Sequence, residues 1–252
     1  MRTAASRQQV FGPRRKVDNI CRERPPPGRI AGRCAIIRGM TGFVSAFPGH
    51  AIPADDPTRR RVIIDLGCGT RKKPGAIGLD IARVPGVDVI ADVMRPLPLK
   101  DDSVDEVYAS HLIEHVDDVL AFMGEVWRVC KPGALVYFRF PHGSTPYLTW
   151  KDPTHRRGVY LAMFEYFDPT TLDGQLWGYY HPAKFKIERR RLCFNLNADT
   201  RQPGRGRRLV GALLDWLANR DERWLYVCER WWGNWVGMEE AHIWLRALKP
   251  GR

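Results

Sequence analysis

The short β-branched run Val62-Ile63-Ile64 leads straight into Asp65-Leu66-Gly67-Cys68-Gly69. A strand that ends in Gly-x-Gly must turn sharply and bring its backbone close to whatever binds there. A side chain at Gly67 or Gly69 would fill the space a ligand needs. Fifteen residues beyond Asp65 stands Asp80, closing a second short apolar run that begins at Ala76. A carboxylate in that place can accept two hydrogen bonds from ribose hydroxyls. A third run, Val87–Ala91, is followed by Asp92 and Val93, within reach of the adenine end of a nucleoside. Gly-x-Gly alone occurs in many tight turns. The order glycine pair, acid, acid, each after its own strand, is what narrows the reading.

Two further runs complete the rhythm, Val104–Ala109 and Ala134–Phe140. Short Val/Ile-rich strands separated by loops and helices predict an α/β fold with a mostly parallel sheet buried on both faces. Between these two runs Val119, Phe122, Met123, Val126, Trp127 and Cys130 fall on one helical stripe. Asp117 and Asp118 suit its start, and Pro132-Gly133 follows its end. Only a turn's worth of chain separates the first strand from the second, so the first crossover helix is expected to be missing or reduced. Toward the C-terminus Phe185–Asn195 reads as a strand, Arg207–Asn219 as an amphipathic helix and Ala241–Ala247 as a last strand.

The chain carries a formal net charge of +12. Of this, +9 lies in residues 1–61, with Pro25-Pro26-Pro27-Gly28 and no sustained period. Residues 1–57 therefore read as a flexible basic tail, and 58–252 as the folded domain. Met40 is an alternative start. Arginine runs without interleaved aromatics give non-specific phosphate attraction, so no specific nucleic-acid partner is expected. No apolar run approaches the ~20 residues that span a bilayer. Six cysteines without a C-x-x-C pair fit a reducing, cytoplasmic setting.

Four segments carry a family resemblance: Asp65–Thr70 (DLGCGT), the acid Asp80, Leu97–Val116 (LPLKDDSVDEVYASHLIEHV) and Val126–Pro141 (VWRVCKPGALVYFRFP). Together they resemble the class I S-adenosylmethionine-dependent methyltransferases, specifically the compact type 11 domain. Leu148–Gly158 is similar to a segment of uncharacterised members. The resemblance implies a Rossmann-like methyltransferase fold whose last strand runs antiparallel, with S-adenosylmethionine as cofactor. Asp65, Gly67 and Gly69 would shape the methionine side, Asp80 would hold the ribose, and Asp92 with Val93 the adenine. Ser110 and His111 would face cofactor and acceptor. The chain departs from the pattern at Arg71, where the usual third glycine is absent. Arg71, Lys72 and Lys73 could then face the cofactor carboxylate or an anionic acceptor, or be solvated loop charges.

A base is needed only where the acceptor must lose a proton. His111, His115, His142 and His155 all fall after strand ends or in the loop beyond the fifth strand; His155, with Asp152 three residues before it to orient it, is the leading candidate, alongside its reading as a loop histidine bonded to a carbonyl. His111-Leu112-Ile113-Glu114-His115 also matches the H-x-x-E-H zinc pattern. It straddles a strand end and a helix start, so no metal is expected. A nicotinamide oxidoreductase is disfavoured because Lys72 stands where the last glycine of G-x-G-x-x-G belongs. A non-catalytic module on the same fold is the main alternative. Five of the nine tryptophans lie between Trp216 and Trp235. They read as a lid packed on the sheet, or as a peripheral membrane-contact face. The acceptor is expected to be a small molecule, lipid or sugar; the oligomeric state is open.

Overall fold

The computed structural model describes residues 61–194 and 205–249; the basic N-terminal segment lies outside them. Among these residues seven strands form one sheet: β1 (Ile63–Leu66), β2 (Ile77–Asp80), β3 (Val89–Ile90), β4 (Val104–Ser110), β5 (Cys130–Pro141), β6 (Lys184–Cys193) and β7 (Glu240–Leu248). Their spatial order is β3-β2-β1-β4-β5-β7-β6. The first five are parallel to one another, whereas β7 is antiparallel to both β5 and β6. The order reverses between β1 and β4, the switch point at which open α/β sheets leave a crevice for ligands.

Among the described residues six α-helices flank the strands: α1 (Val119–Val129), α2 (Pro146–Trp150), α3 (Leu172–Trp177), α4 (Arg205–Ala218), α5 (Glu222–Val227) and α6 (Gly233–Val236). The expected stripe forms α1. Asp118 caps it by accepting from the Ala121 N–H at 2.9 Å, and Val119, Phe122, Met123, Val126 and Val129 are buried. No helix lies between β1 and β2, as their short separation predicts. Pro132-Gly133 does not follow α1 as a loop. The chain enters β5 at Cys130, with Gly133 at φ +76° inside the strand's first residues.

One face of the sheet is buried over β1, β4, β5 and β7. Phe138 stacks on Phe164 at 5.7 Å and meets Phe122 at 5.9 Å, so α1 and the 3-10 segment Leu161–Phe167 share a core over β5. The other face departs from the expectation of burial on both sides. It is half-buried among the described residues and carries rings and ion pairs: Tyr108 on Tyr137 at 5.0 Å, Tyr137 beside Trp244, and Arg246 paired with Glu188. Alternating burial along β7 (buried Ile243, Leu245 and Ala247; half-buried His242, Trp244 and Arg246) is the period-2 signature of a one-sided sheet.

The amphipathic helix forms but does not lie apolar-face down. Leu209, Val210, Leu213 and Trp216 of α4 are all more than half exposed. Polar groups at the helix's C-terminal end hold it to the sheet edge instead. Asn219 accepts from Leu192 N–H at 2.8 Å and donates to Leu192 O at 2.7 Å, and Asp215 accepts from Phe194 N–H. Asn219 thus supplies β6, an edge strand, with the partner its backbone lacks.

Candidate active site

The C-terminal ends of β3, β2, β1 and β4 lie side by side, which brings the nominated residues to one edge of the sheet. Gly67 and Gly69 both have left-handed φ, +64° and +49°. At Gly67 a Cβ would come within 2.8 Å of Leu112 Cδ1, whereas nothing lies within 4 Å of the corresponding position at Gly69. The second glycine therefore faces open space, as a backbone that meets a ligand must. Asp80 Oδ2 accepts from the Gly69 N–H at 2.8 Å, and Asp80 Oδ1 from the Ala82 N–H at 2.8 Å. Each carboxylate oxygen keeps a second lone-pair direction for an incoming hydroxyl. Asp92, beyond β3, accepts from the Met94 N–H at 2.9 Å. Val93 beside it is half-buried against the core. Ser110 ends β4 opposite Arg139.

Asp65 is buried at the end of β1 and accepts from the Lys73 N–H at 2.6 Å. Burial outweighs that hydrogen bond and pushes its carboxyl up to about 6 from 3.8. The folded protein thus holds this proton more tightly than the unfolded chain does. Ionised Asp65 opposes folding above pH 6, and the opposition fades as pH falls from 6 toward 3.8. An uncharged isostere that still accepts the Lys73 N–H is expected to help most at high pH. Asp65→Asn should raise unfolding stability by about 1–3 kcal/mol at pH 8 and by little at pH 4, read as the difference between urea midpoints.

The basic triplet does not converge on the crevice. Lys72 Nζ pairs with Asp88 at 2.6 Å, and Asp88 also accepts from the Gly78 N–H, tying the first loop to the segment before β3. Lys73 Nζ pairs with the fully buried Glu106 at 2.5 Å and lies over the Tyr108 ring. Arg71 is exposed.

His111 follows β4 at φ +54°, one of two described non-glycine residues at positive φ. Its Nε2 meets Glu240 Oε1 at 3.0 Å, and its Nδ1 lies 3.4 Å from Glu114 Oε1. Desolvation opposes its charge, but the two carboxylates outweigh that and push the imidazolium up to about 9. Glu240 loses more from burial than from any other influence, yet His111, His242 and Arg139 together hold it well below the carboxylate range. Glu240, from β7, is a site residue that sequence reasoning missed. Its signal was an acid opening the last strand beside the crevice. His155 Nδ1 meets the Thr149 carbonyl at 2.6 Å, and its Nε2 lies 3.9 Å from Asp152. Asp152 spends Oδ1 on Thr154.

Beyond β5 the candidate base His142 lies inside a buried polar cluster. His142 Nδ1 meets Ser144 Oγ at 2.7 Å and its Nε2 meets Glu229 Oε1 at 3.1 Å. Glu229 also accepts from the Leu161 N–H, and Ser144 Oγ from the Met238 N–H at 3.0 Å. All three side chains are buried, so the cluster joins segments and faces no substrate.

Comparison with known proteins agrees with this geometry. Residues 64–138 match the family model described as a methyltransferase domain. A probable S-adenosylmethionine-dependent methyltransferase of Mycolicibacterium smegmatis is 39% identical over 120 residues, which is 46% of this chain and 43% of the relative. The chain thus spans less than half the length of the curated relative it matches. Among solved structures, a SAM-dependent methyltransferase from Archaeoglobus fulgidus aligns with TM-score 0.44 at 18% identity, covering 74% of this chain and 86% of that one. Another from Mesorhizobium loti aligns with TM-score 0.40 at 16% identity, covering 73% and 90%. The resemblance seen in the sequence is borne out: residues 64–138 match the methyltransferase-domain model, and the chain is similar to a probable S-adenosylmethionine-dependent methyltransferase.

Proposed function

We propose that the protein transfers a methyl group from S-adenosylmethionine to a small-molecule, lipid or sugar acceptor. The observation that carries this reading is the union of left-handed Gly69 and Asp80. The glycine N–H fixes the carboxylate at the crevice, and no side chain fills the space beside it. Asp80 would hold the ribose. Asp92, Val93 and the exposed apolar side chains Ile81, Ile90 and Met94 would border the adenine. Asp65, Gly67 and Gly69 would shape the methionine side. The cofactor brings its own leaving group, a sulfonium, so the chain's tasks are alignment and exclusion of water. Ser110 and His111 stand between that crevice and the acceptor side, with His111 held in place by Glu240. His155, bonded to a backbone carbonyl, is placed to position the Asp152–Arg157 loop.

Titration of S-adenosylmethionine into the full chain tests the proposal. One saturable site of micromolar affinity is expected, followed by S-adenosylhomocysteine release with an accepted substrate. A folded protein that binds no cofactor would overturn it and favour a non-catalytic module.

The exposed face of α4 bears on where the acceptor is met. Leu209, Val210, Leu213 and Trp216 form an apolar strip beside a cleft of about 630 Å³ lined by Arg189, Arg190, Arg191 and Arg220. Basic residues next to an outward apolar strip favour an anionic lipid surface. The chain is expected to sediment with vesicles containing phosphatidylglycerol at low salt, and Leu213→Asp combined with Trp216→Ser to lose at least tenfold in partitioning. Equal partitioning of the two proteins would sink the membrane reading. No helix among the described residues is long and apolar enough to cross a membrane. The four described cysteines, Cys68, Cys130, Cys193 and Cys228, are free and buried, which supports a reducing compartment such as the cytoplasm.

A further inference from the structure

The 3-10 turn Ile113–His115 after β4 and the loop 152–157 are fastened to each other. The Arg156 N–H donates to Glu114 O at 2.8 Å, and Arg157 donates to Val116 O and Asp117 O. Where they meet, one potential ligand atom each from Glu114, His115 and His155 lies within 4.8 Å of the other two. The two imidazoles are 4.7 Å apart, edge to face.

The hydrogen bonds around both rings leave the same nitrogen free. His155 Nδ1 faces the Thr149 carbonyl at 2.6 Å, and a carbonyl can only accept, so Nδ1 carries the proton. His115 Nδ1 lies 3.0 Å from Thr154 Oγ1, whose own hydrogen goes to Asp152 at 2.6 Å; this ring too is a donor at Nδ1. Both tautomers, assigned from these networks, present a bare Nε2 lone pair. An outer hydrogen bond that fixes the Nδ1–H is the arrangement that orients a metal-ligating histidine.

Glu114 supplies the independent sign. Its side chain is 1% exposed, yet neither carboxylate oxygen accepts a hydrogen bond among the described residues. The nearest charge is His111 Nδ1, 3.4 Å away in a geometry that makes no hydrogen bond. His111 offers Glu114 an ion pair that it shares with Glu240, but no hydrogen-bond donor, so both buried Glu114 oxygens keep lone pairs that a further cation could take. Asp152 Oδ2, 3.9 Å from His155 Nε2, adds negative potential at the open side.

We propose that Glu114, His115 and His155 bind a divalent first-row transition-metal ion of the zinc class. Two imidazole nitrogens and a carboxylate oxygen suit such ions, and three protein ligands leave a position open. Ligands at ~2.1 Å from a tetrahedral ion stand ~3.4 Å apart, so the cluster contracts by about an ångström or a little more on loading. The site takes the Glu and second His of the H-x-x-E-H stretch but replaces its first His with His155. His111 is turned to Glu240 instead. This inference is independent of the methyl-transfer reading.

The test is metal binding by the full chain after chelator treatment. Cobalt(II) titration followed by visible absorption should show one equivalent, displaced by zinc(II), and elemental analysis after dialysis against zinc should find one ion per chain. His115→Ala and His155→Ala should each weaken cobalt affinity at least tenfold. Glu114→Gln, which keeps the side chain's shape, should do the same if an alanine variant fails to fold. The urea midpoint of the metal-free protein is measured beside each, so loss of fold and loss of metal are separable. A folded wild-type chain that retains no stoichiometric zinc or cobalt would overturn the site. Unchanged affinity in the folded variants would overturn it equally.

Discussion

Asp80→Ala is expected to lower S-adenosylmethionine affinity by about 100-fold or more while leaving a folded protein. Asp80 is prepositioned: the N–H groups of Gly69 and Ala82 fix both its oxygens at 2.8 Å. Two ribose hydroxyls donating to one carboxylate are charge-assisted hydrogen bonds of roughly 1.5–3 kcal/mol each. Losing both amounts to about 3 kcal/mol or more, hence the hundredfold figure. The cost to the fold is smaller. The Gly69 and Ala82 N–H groups lose an acceptor but sit in open loops where water can replace it, so stability should fall by about 1–2 kcal/mol. Calorimetric titration beside a urea curve separates the two effects. A variant that binds as well as wild type would show that the ribose is held elsewhere and would remove the chief support of the methyl-transfer proposal.

How much of this was legible depends on how far apart the cooperating residues stand. The crevice was readable because each part is local: Gly67 and Gly69 follow β1 directly, Asp80 ends β2, and Asp92 lies just beyond β3. A parallel sheet then brings strand ends together without further instruction. Helix α1 was readable because stripe, N-cap and stop lie within one short stretch. The stop was misjudged in one respect, since Pro132-Gly133 falls inside the start of β5. Glu240 was not legible as a partner of His111. The two are 129 positions apart, and only the antiparallel return of β7 beside β5 joins them. The same holds for Glu114, His115 and His155, where two loops from different crossovers meet. The stripe of α4 was legible as a pattern, but the direction it faces was not. Periodicity reports which residues share a side of a helix, not which side meets the protein.

His142→Ala should cost about 3–5 kcal/mol, the largest loss of stability expected from a substitution outside the apolar core. The ring is fully buried and joins three segments: Ser144 after β5, Glu229 from the turn after α5, and through Ser144 the entry to β7. Removing it takes the imidazole donor from a buried carboxylate, and breaking one side of a buried ionic or polar pair carries a penalty of this order. It also empties the space of an aromatic ring in edge contact with Tyr160 at 4.9 Å. The two losses share one neighbourhood, so they are not additive. The damage should be local before it is global. Glu229 also accepts from the Leu161 N–H at the start of the 3-10 segment that carries Phe164 and Phe167 into the core. Hydrogen exchange at Leu161 should therefore quicken more than exchange in β1 or β4. Uniform acceleration across the sheet would mean that the cluster supports the whole fold rather than joining this segment to it. No change in urea midpoint would mean that Glu229 finds other donors once the ring is gone.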